Sequence, residues 1–301
     1  MSKHGVYPEG NKFKVYVNNE IVYSARMQRN AEYMFERHLK MVGMNKPTKS
    51  LIETKTSKFH INQRFKFLNK AVKMVASGTQ PSAVISGSGG LGKSYSVRKA
   101  LIESGFRDMT NVTAAEGEVI NRSNSFIVVK GFSTARGLFR TLYENNDSVI
   151  VYDDCDSILR DPTALNVLKG ALDSYDTRII SWNSELRDSD LPRSFIFTGR
   201  VIFISNLPEE KIDQAIRSRS AVIDVSMTLP EIISRMEAMV QDTDFMPDYT
   251  MEVKTDSLKF IDEIKEKMRE VNLRTLITVC KVRASDTDGG WKEMAEYLTC
   301  K

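Results

Sequence analysis

Eight consecutive residues, Gly87-Ser88-Gly89-Gly90-Leu91-Gly92-Lys93-Ser94, combine small backbone positions with one cation and one hydroxyl. Glycines let successive N–H groups curl around phosphate oxygens without side-chain obstruction. Lys93 is placed to reach β- and γ-phosphates, and the Ser94 hydroxyl to ligate Mg²⁺. The run fits GxxxxGK[ST] at every fixed position, so a nucleoside triphosphate is the expected ligand, with Tyr95 among its contacts. Further along, "SVIVYDDCDSIL" is an apolar run that ends in paired acids. Asp153 is assigned to the Mg²⁺ shell and Asp154 to polarising the attacking water, while Asp156 is expected to cap the next helix.

These residues need elements to hold them. "SAVISG" reads as a short buried strand running into the glycine turn, and "KSYSVRKALIESG" as the helix after it. Apolar strands recur at "SFIVVKG", "SVIVYDD" and "RVIFISN", with helical patterns between them. That alternation marks a parallel sheet covered by helices. "INQRFKFLNKAVKMVASG" reads as an amphipathic helix before the first of these strands, and a mostly helical tail starts near Pro230. At the other end, "KFKVYV" alternates polar and apolar, "NNE" reads as a hairpin turn, and Asn30 can cap "AEYMFERHLKMV". The expected organisation is a basic three-strand-plus-helix module at 1–45, a linker at 46–58, a P-loop core at 59–228 and a helical lid at 229–301.

Composition narrows the class. At 301 residues with 41% hydrophobic and 27% charged content, the chain has the make-up of a soluble globular protein. No run approaches the ~18 apolar residues of a membrane span, and the N-terminus lacks a secretory apolar segment, so a cytoplasmic location is expected. Three widely spaced cysteines, Cys155, Cys280 and Cys300, argue for free thiols rather than a disulfide framework or a zinc site. The net charge of +4 is uneven: residues 1–58 carry eleven Lys/Arg against five Glu and no Asp. A basic appendage on a near-neutral body suits a polyanion, most simply nucleic acid, or a merely solvated surface.

Together with "VIFISN" and "AIRSRS", the two phosphate-site motifs resemble those of the AAA+ ATPases over residues 60–285. The resemblance implies ATP and Mg²⁺ as cofactors, a homo-oligomeric ring and nucleotide held between neighbours. Asn206 matches sensor 1, which orients the water or the γ-phosphate. Arg219 aligns with the finger that reaches a neighbour's γ-phosphate, with Arg217 as its substitute. Arg274, in "VNLRTLITV", resembles sensor 2 facing nucleotide, and Phe59, His60 and Ile61 are candidates to pack over the base. Lys130-Gly131-Phe132 corresponds to the polymer-gripping pore loop; as a plain turn the same residues would simply bury a Phe. "RIISW" and "SFIFTG" suggest an inserted β-hairpin with its tip near Arg187, unless Trp182, Phe195 and Phe197 merely complete the core. Asp-Asp at 153–154, where most AAA+ members have Asp-Glu, is similar to superfamily-three viral helicases and raises the prospect of slow hydrolysis.

The first 45 residues are similar to the DNA-binding domains of plant ethylene-response factors, which implies that Lys12, Lys14, Arg26 and Arg29 contact DNA. The whole resembles phage or mobile-element proteins. The expected function is an ATP-hydrolysing ring motor or loader on DNA, with other replication proteins as possible partners. An ATP-gated DNA-binding switch or adaptor without translocation shares every nucleotide residue, and a protein remodeller would also use an aromatic pore loop. A small-molecule kinase would leave the arginine box and the lid unexplained.

Overall fold

Strands with no polar face are stable only where both sides of a sheet are covered. A computed structural model describes residues 5–9, 12–17, 20–27, 30, 34–35, 57–112, 121–182, 191–287 and 289–300. The chain divides into two units, Met1–Thr56 and Ser57–Lys301.

In the first unit β1 (Gly5–Glu9), β2 (Lys12–Val17) and β3 (Glu20–Ala25) form an antiparallel meander in that order. Val15 and Ala25 are its buried centre, with Val6, Phe13 and Phe35 packed against them. Lys12 is exposed, and Lys14 pairs with Glu9 at 2.9 Å. Arg26 is exposed just past β3, and Arg29 lies outside the described residues, as does most of the helix expected after Asn30.

The second unit is an α/β fold, a parallel sheet covered by helices, as the alternation of apolar strands and helical patterns leads one to expect. Its strands are β4 (Ser82–Ser86), β5 (Arg107–Asp108), β6 (Ser125–Lys130), β7 (Val149–Asp153), β10 (Arg200–Ser205) and β11 (Ala221–Asp224), all parallel, in the order β11-β4-β10-β7-β6-β5. Every residue of β4 and β7 is buried, including Ser82, Ser86 and Asp153 at their ends. One face is covered by α1 (Ile61–Ala76) and α2 (Lys93–Glu103), the other by α3 (Ala135–Glu144) and α4 (Pro162–Ala171). Helix α1 buries Ile61, Phe65, Leu68, Val72 and Val75, one stripe at helical spacing.

Strand register decides which side chains meet. Ser205 sits opposite Ser86, Ile204 opposite Asp153, and Asp153 opposite Lys130. The glycine turn, both acids, Asn206 and Lys130 therefore share one edge of the sheet. Between β7 and β10, β8 (Ile179–Ser181) and β9 (Ser194–Ile196) pair antiparallel. Arg187 and its neighbours at 183–190 lie outside the described residues. Phe139 gathers Trp182 and Phe195 around its ring at 5.7 and 5.2 Å, and Phe197 is buried, so these aromatics complete the core.

After β11 come α6 (Leu229–Val240), α7 (Met251–Ile264), α8 (Leu273–Ala284) and α9 (Trp291–Thr299), preceded by the one-turn α5 (Gln214–Arg217). Met236, Phe260, Leu276, Val279 and Cys280 form a separate core among the four long helices. Among the described residues no helix is long and apolar enough to cross a membrane.

A buried arginine fastens this assembly. Arg64, 6% exposed on α1, donates to the Ser226 carbonyl and to Glu231, each at 2.5 Å. Glu231 also accepts from the Thr228 backbone N–H, closing a capping box at the start of α6. Burial alone would raise the Glu231 carboxyl, but the Thr228 N–H and the Arg64 guanidinium outweigh it and hold the group below its ordinary value. Arg64→Ala should cost about 3 kcal/mol of stability, read from the urea midpoint at unchanged slope. Because the folded-state value is depressed, the Glu231 contribution is fully present above the ordinary glutamate value and is lost as pH falls from there through the lower folded-state value. An Arg64→Met protein should therefore show a flatter loss of stability toward acid than the wild type.

Candidate nucleotide-binding site

The glycine turn leaves β4 and enters α2 with Gly92 in a left-handed conformation at its N-cap. Gly90 and Gly92 have φ of +74° and +85°, a region that glycine occupies without steric cost. Space imposes the same choice. A Cβ on Gly90 would stand 2.8 Å from the Asn272 side chain, and one on Gly92 2.9 Å from Leu273 Cδ1. The start of α8 is thus seated directly on the turn, and the Leu273 N–H donates to the Gly90 carbonyl at 2.9 Å. Asn272 caps α8 by accepting from the Arg274 and Thr275 N–H groups.

Lys93 is almost sealed from solvent. Its ammonium donates to the Gly87 and Ser88 carbonyls at 2.7 and 2.8 Å and to Asn206 Oδ1 at 3.0 Å. Burial pulls its pKa down to about 8, against the opposing pull of Asp154 and Asp153. Asn206 spends its other amide end as a donor to Asp154 Oδ1, so one side chain joins the turn lysine to the second acid. Asp154 itself is left-handed, φ +59°, with its N–H bonded to the Ile204 carbonyl at 3.0 Å. Ser94 Oγ donates to Asp153 Oδ1 at 2.9 Å.

Around these groups lies a cavity of about 370 Å³. Gly89 to Tyr95, Asp153, Asp154, Asn206 and Arg274 all line it, which brings together residues read separately from the sequence. An Arg274 Nη lies 3.9 Å from where a Gly89 Cβ would be. The other wall is apolar: Met239, Phe245, Met246 and Ile277. Sequence reading missed it, because Met239 and Ile277 at helical spacing look like any core stripe and Phe245 and Met246 sit in a connection with no period of its own. Phe59, His60 and Ile61 are not part of it. Ile61 is fully buried in the α1 core, Phe59 packs edge-on against Phe67, and His60 accepts from the Asn62 N–H to cap α1. Asp156 likewise departs from expectation: it accepts from Ser205 Oγ at 2.6 Å, and α4 is capped by Asp161.

Two other groups fall outside the cavity. Lys130, at the end of β6, places its ammonium 3.5 Å from Asp153 Oδ2, so the first residue of the expected polymer-contacting loop adjoins the phosphate side. Gly131 is left-handed and Phe132 is 82% exposed. Arg217 and Arg219 sit at the opposite edge of the sheet. Arg219 donates to the Ala215 carbonyl at 3.1 Å, and its own carbonyl accepts from Ser82, the first residue of β4. The length of β4, about 13 Å at 3.3 Å per residue, separates Arg219 from the glycine turn of its own chain.

No protein-family model matches the chain. Its sequence is 30% identical over 256 residues to the uncharacterized 36.7 kDa protein of the nrdC-mobD intergenic region of Enterobacteria phage T4, covering 79% of this chain and 74% of that protein. The chain belongs to that phage protein's family. Among solved structures it is similar to NtrX from Brucella abortus in complex with ATP, at 13% identity and a TM-score of 0.43 over 86% of this chain. It is also similar to the FIGL-1 AAA domain in complex with ADP, at 16% identity and 0.39 over 72%. The chain spans 59% of the NtrX chain and 68% of the FIGL-1 chain.

In this phage-family chain the oxygens of Ser94 and Asp153 suit Mg²⁺ chemically. Mg²⁺ usually takes one or two protein oxygens and completes its octahedron with water and substrate phosphates. Among the described residues no group of three or more His, Cys, Asp or Glu is placed to hold a metal by itself, so the pair fits the ion in partnership with a phosphate.

Lys93→Ala should weaken a non-hydrolysable ATP analogue roughly tenfold or more by calorimetry. Gly92→Ala should weaken it as well, by pushing Leu273 and α8 off the turn. Phe59→Ala, outside the cavity, should leave the affinity within about twofold.

Proposed function

We propose that this protein hydrolyses ATP with Mg²⁺ and acts on DNA as an oligomeric ring motor or loader in phage replication or recombination. The observation that carries the ATPase half is the continuous path from Lys93 through Asn206 to Asp154, beside the Ser94–Asp153 pair. Lys93 and the turn N–H groups bind the β- and γ-phosphates, and the Asn206 amide fixes the Asp154 carboxylate. Asp154 accepts the proton of the attacking water. Ser94 and Asp153 would hold Mg²⁺, which supplies charge neutralisation on the phosphates. Arg274 lies on the lid side of the same cavity and contacts the triphosphate from there.

Arg219 is the residue that completes the site of a neighbouring copy, with Arg217 as its substitute. Its position beyond the far end of β4 supports action between chains rather than within one. Such an arginine is worth about 10³–10⁵ in rate in phosphoryl transfer.

The DNA half draws on Lys130-Gly131-Phe132 and on the basic first unit. An exposed phenylalanine beside a lysine suits stacking on bases along a phosphate backbone. Lys12, Lys14, Arg26 and Arg29 supply further cations for phosphate contact. A second reading, an ATP-gated switch that binds DNA without translocating, is favoured by Asp154: a carboxylate one methylene shorter than Glu, already bonded to Asn206, suits slow turnover.

Asp154→Asn should lower ATP turnover by about 10²–10⁴-fold while analogue binding persists. Mixing Arg219→Ala with Asp154→Asn protein should restore part of the activity, since hybrid interfaces regain one complete site. Absence of rescue at every ratio would dismiss the shared site. Single-stranded or duplex DNA should raise the wild-type rate and not that of Phe132→Ala. Equal wild-type rates with and without DNA would remove the DNA half and leave the ATP site standing.

A further inference from the structure

A second cavity, about 360 Å³, opens between α1, α2 and α6 and shares only Tyr95 with the lining of the nucleotide cavity. Its floor is Phe65, 3% exposed, with the Arg235 guanidinium stacked 3.7 Å from the ring centroid. Stacking leaves the in-plane N–H donors of an arginine free for an oxyanion. Arg235 Nε is sealed from solvent and finds no acceptor. The carboxylate that most influences it, Asp242, is itself held by Lys99 at 3.0 Å.

Orphaned polar atoms gather here. Asn62 Oδ1 and Asn69 Oδ1, on the same lining, are buried without a partner. The Tyr95 hydroxyl has none at hydrogen-bonding distance, with Lys99 as a near neighbour. Each such atom costs about 1–3 kcal/mol if left unmade. Four of the nine unpartnered buried side-chain atoms among the described residues border this one cavity. Asn amides turned through 180° present NH₂ groups, so Asn62, Asn69, Tyr95, Lys66, Lys99 and Arg235 can all donate. Burial holds the Arg235 pKa down to about 10, as expected of a cation waiting for a counter-charge.

We propose that this cavity is a second ligand site, taking a small molecule that carries a phosphate or carboxylate group on Arg235. Its volume lies at the small end of ligand pockets, which suits a small metabolite rather than a polymer. The site is also linked to the first. Lys99 bonds Asp242 and, at 2.7 Å, Asp244, and Asp244, Phe245 and Met246 line the nucleotide cavity. An oxyanion that draws on Lys99 loosens that loop, so its binding changes nucleotide affinity, and nucleotide changes its affinity by the same factor.

The test uses the full chain saturated with Mg²⁺ and a non-hydrolysable ATP analogue, so that the glycine turn is filled. Inorganic phosphate, glutarate and chloride are titrated separately while the Arg235 Nε–Hε NMR resonance is followed. Phosphate or glutarate should shift it saturably at one site, and whichever binds tighter names the group on the natural ligand. Arg235→Met, which lacks the reporting resonance and is therefore titrated by calorimetry, should weaken that binding roughly tenfold or more, with analogue affinity measured alongside. Asn69→Ala, a milder change, should weaken it less. A response to phosphate and glutarate no different from chloride, or an affinity unchanged in Arg235→Met, would overturn the proposal. Should the analogue itself fail to bind, the same titration on Lys93→Ala protein reads this site alone, so the two failures remain distinguishable.

Discussion

A lysine ammonium withdrawn from water is costly unless acceptors surround it. Lys93 meets that cost with two carbonyls of its own turn and the amide oxygen of Asn206, and the rest of the unit is arranged so that these acceptors arrive. The two carbonyls require the turn to curl back on itself, which the glycines permit. The third requires β10 to lie beside β4 in a register that sets Asn206 just past Ser86. Asp153 and Asp154 depend on the same register one strand further along. Slipping β10 by one residue would withdraw Asn206 from the cation, and slipping β7 would turn the acids to the other face.

The lid obeys a related constraint. A helix N-terminus can approach a backbone turn closely only where the turn has no side chains, and Gly90 and Gly92 leave room for Asn272 and Leu273. That contact carries Arg274 over the turn and brings Ile277, Phe245 and Met246 to the apolar wall. One glycine-lined seam is therefore both the turn proposed to hold an anion and the seat for the helix that closes the cavity. Asp154 shows the same economy, since a left-handed backbone at a non-glycine residue is uncommon and Asp tolerates it better than most. Its conformation presents the carboxylate to Asn206.

Lys130 lies where the two halves of the proposed function would meet. Its ammonium adjoins Asp153 on one side, and on the other the chain passes through left-handed Gly131 to the exposed Phe132. A change of charge at Asp153 is thus felt two residues from the aromatic proposed to grip DNA.

The residues proposed to hold phosphate stand out in the sequence because they are contiguous or stand at strand ends: a glycine run followed by Lys-Ser, acids closing an apolar strand, and Asn closing another. Period and composition alone place such residues at the edge of a parallel sheet. The three-stranded start of the chain was legible for the same reason, through its alternation. What the sequence could not decide were contacts between elements distant along the chain. Met239 and Ile277 carry the same helical spacing as the buried residues around them, Phe245 lies in the turn between α6 and α7, and only the docking of α8 on the glycines makes them a wall. Asp156 bonds Ser205 instead of a helix end, and Lys130 faces Asp153, because adjacent parallel strands bring those residues together. Arg235 acquires its role only when α6 lays it on Phe65. Local backbone chemistry is written in consecutive residues, whereas partners across a packed interface are selected by three-dimensional fit, which no spacing along the chain encodes.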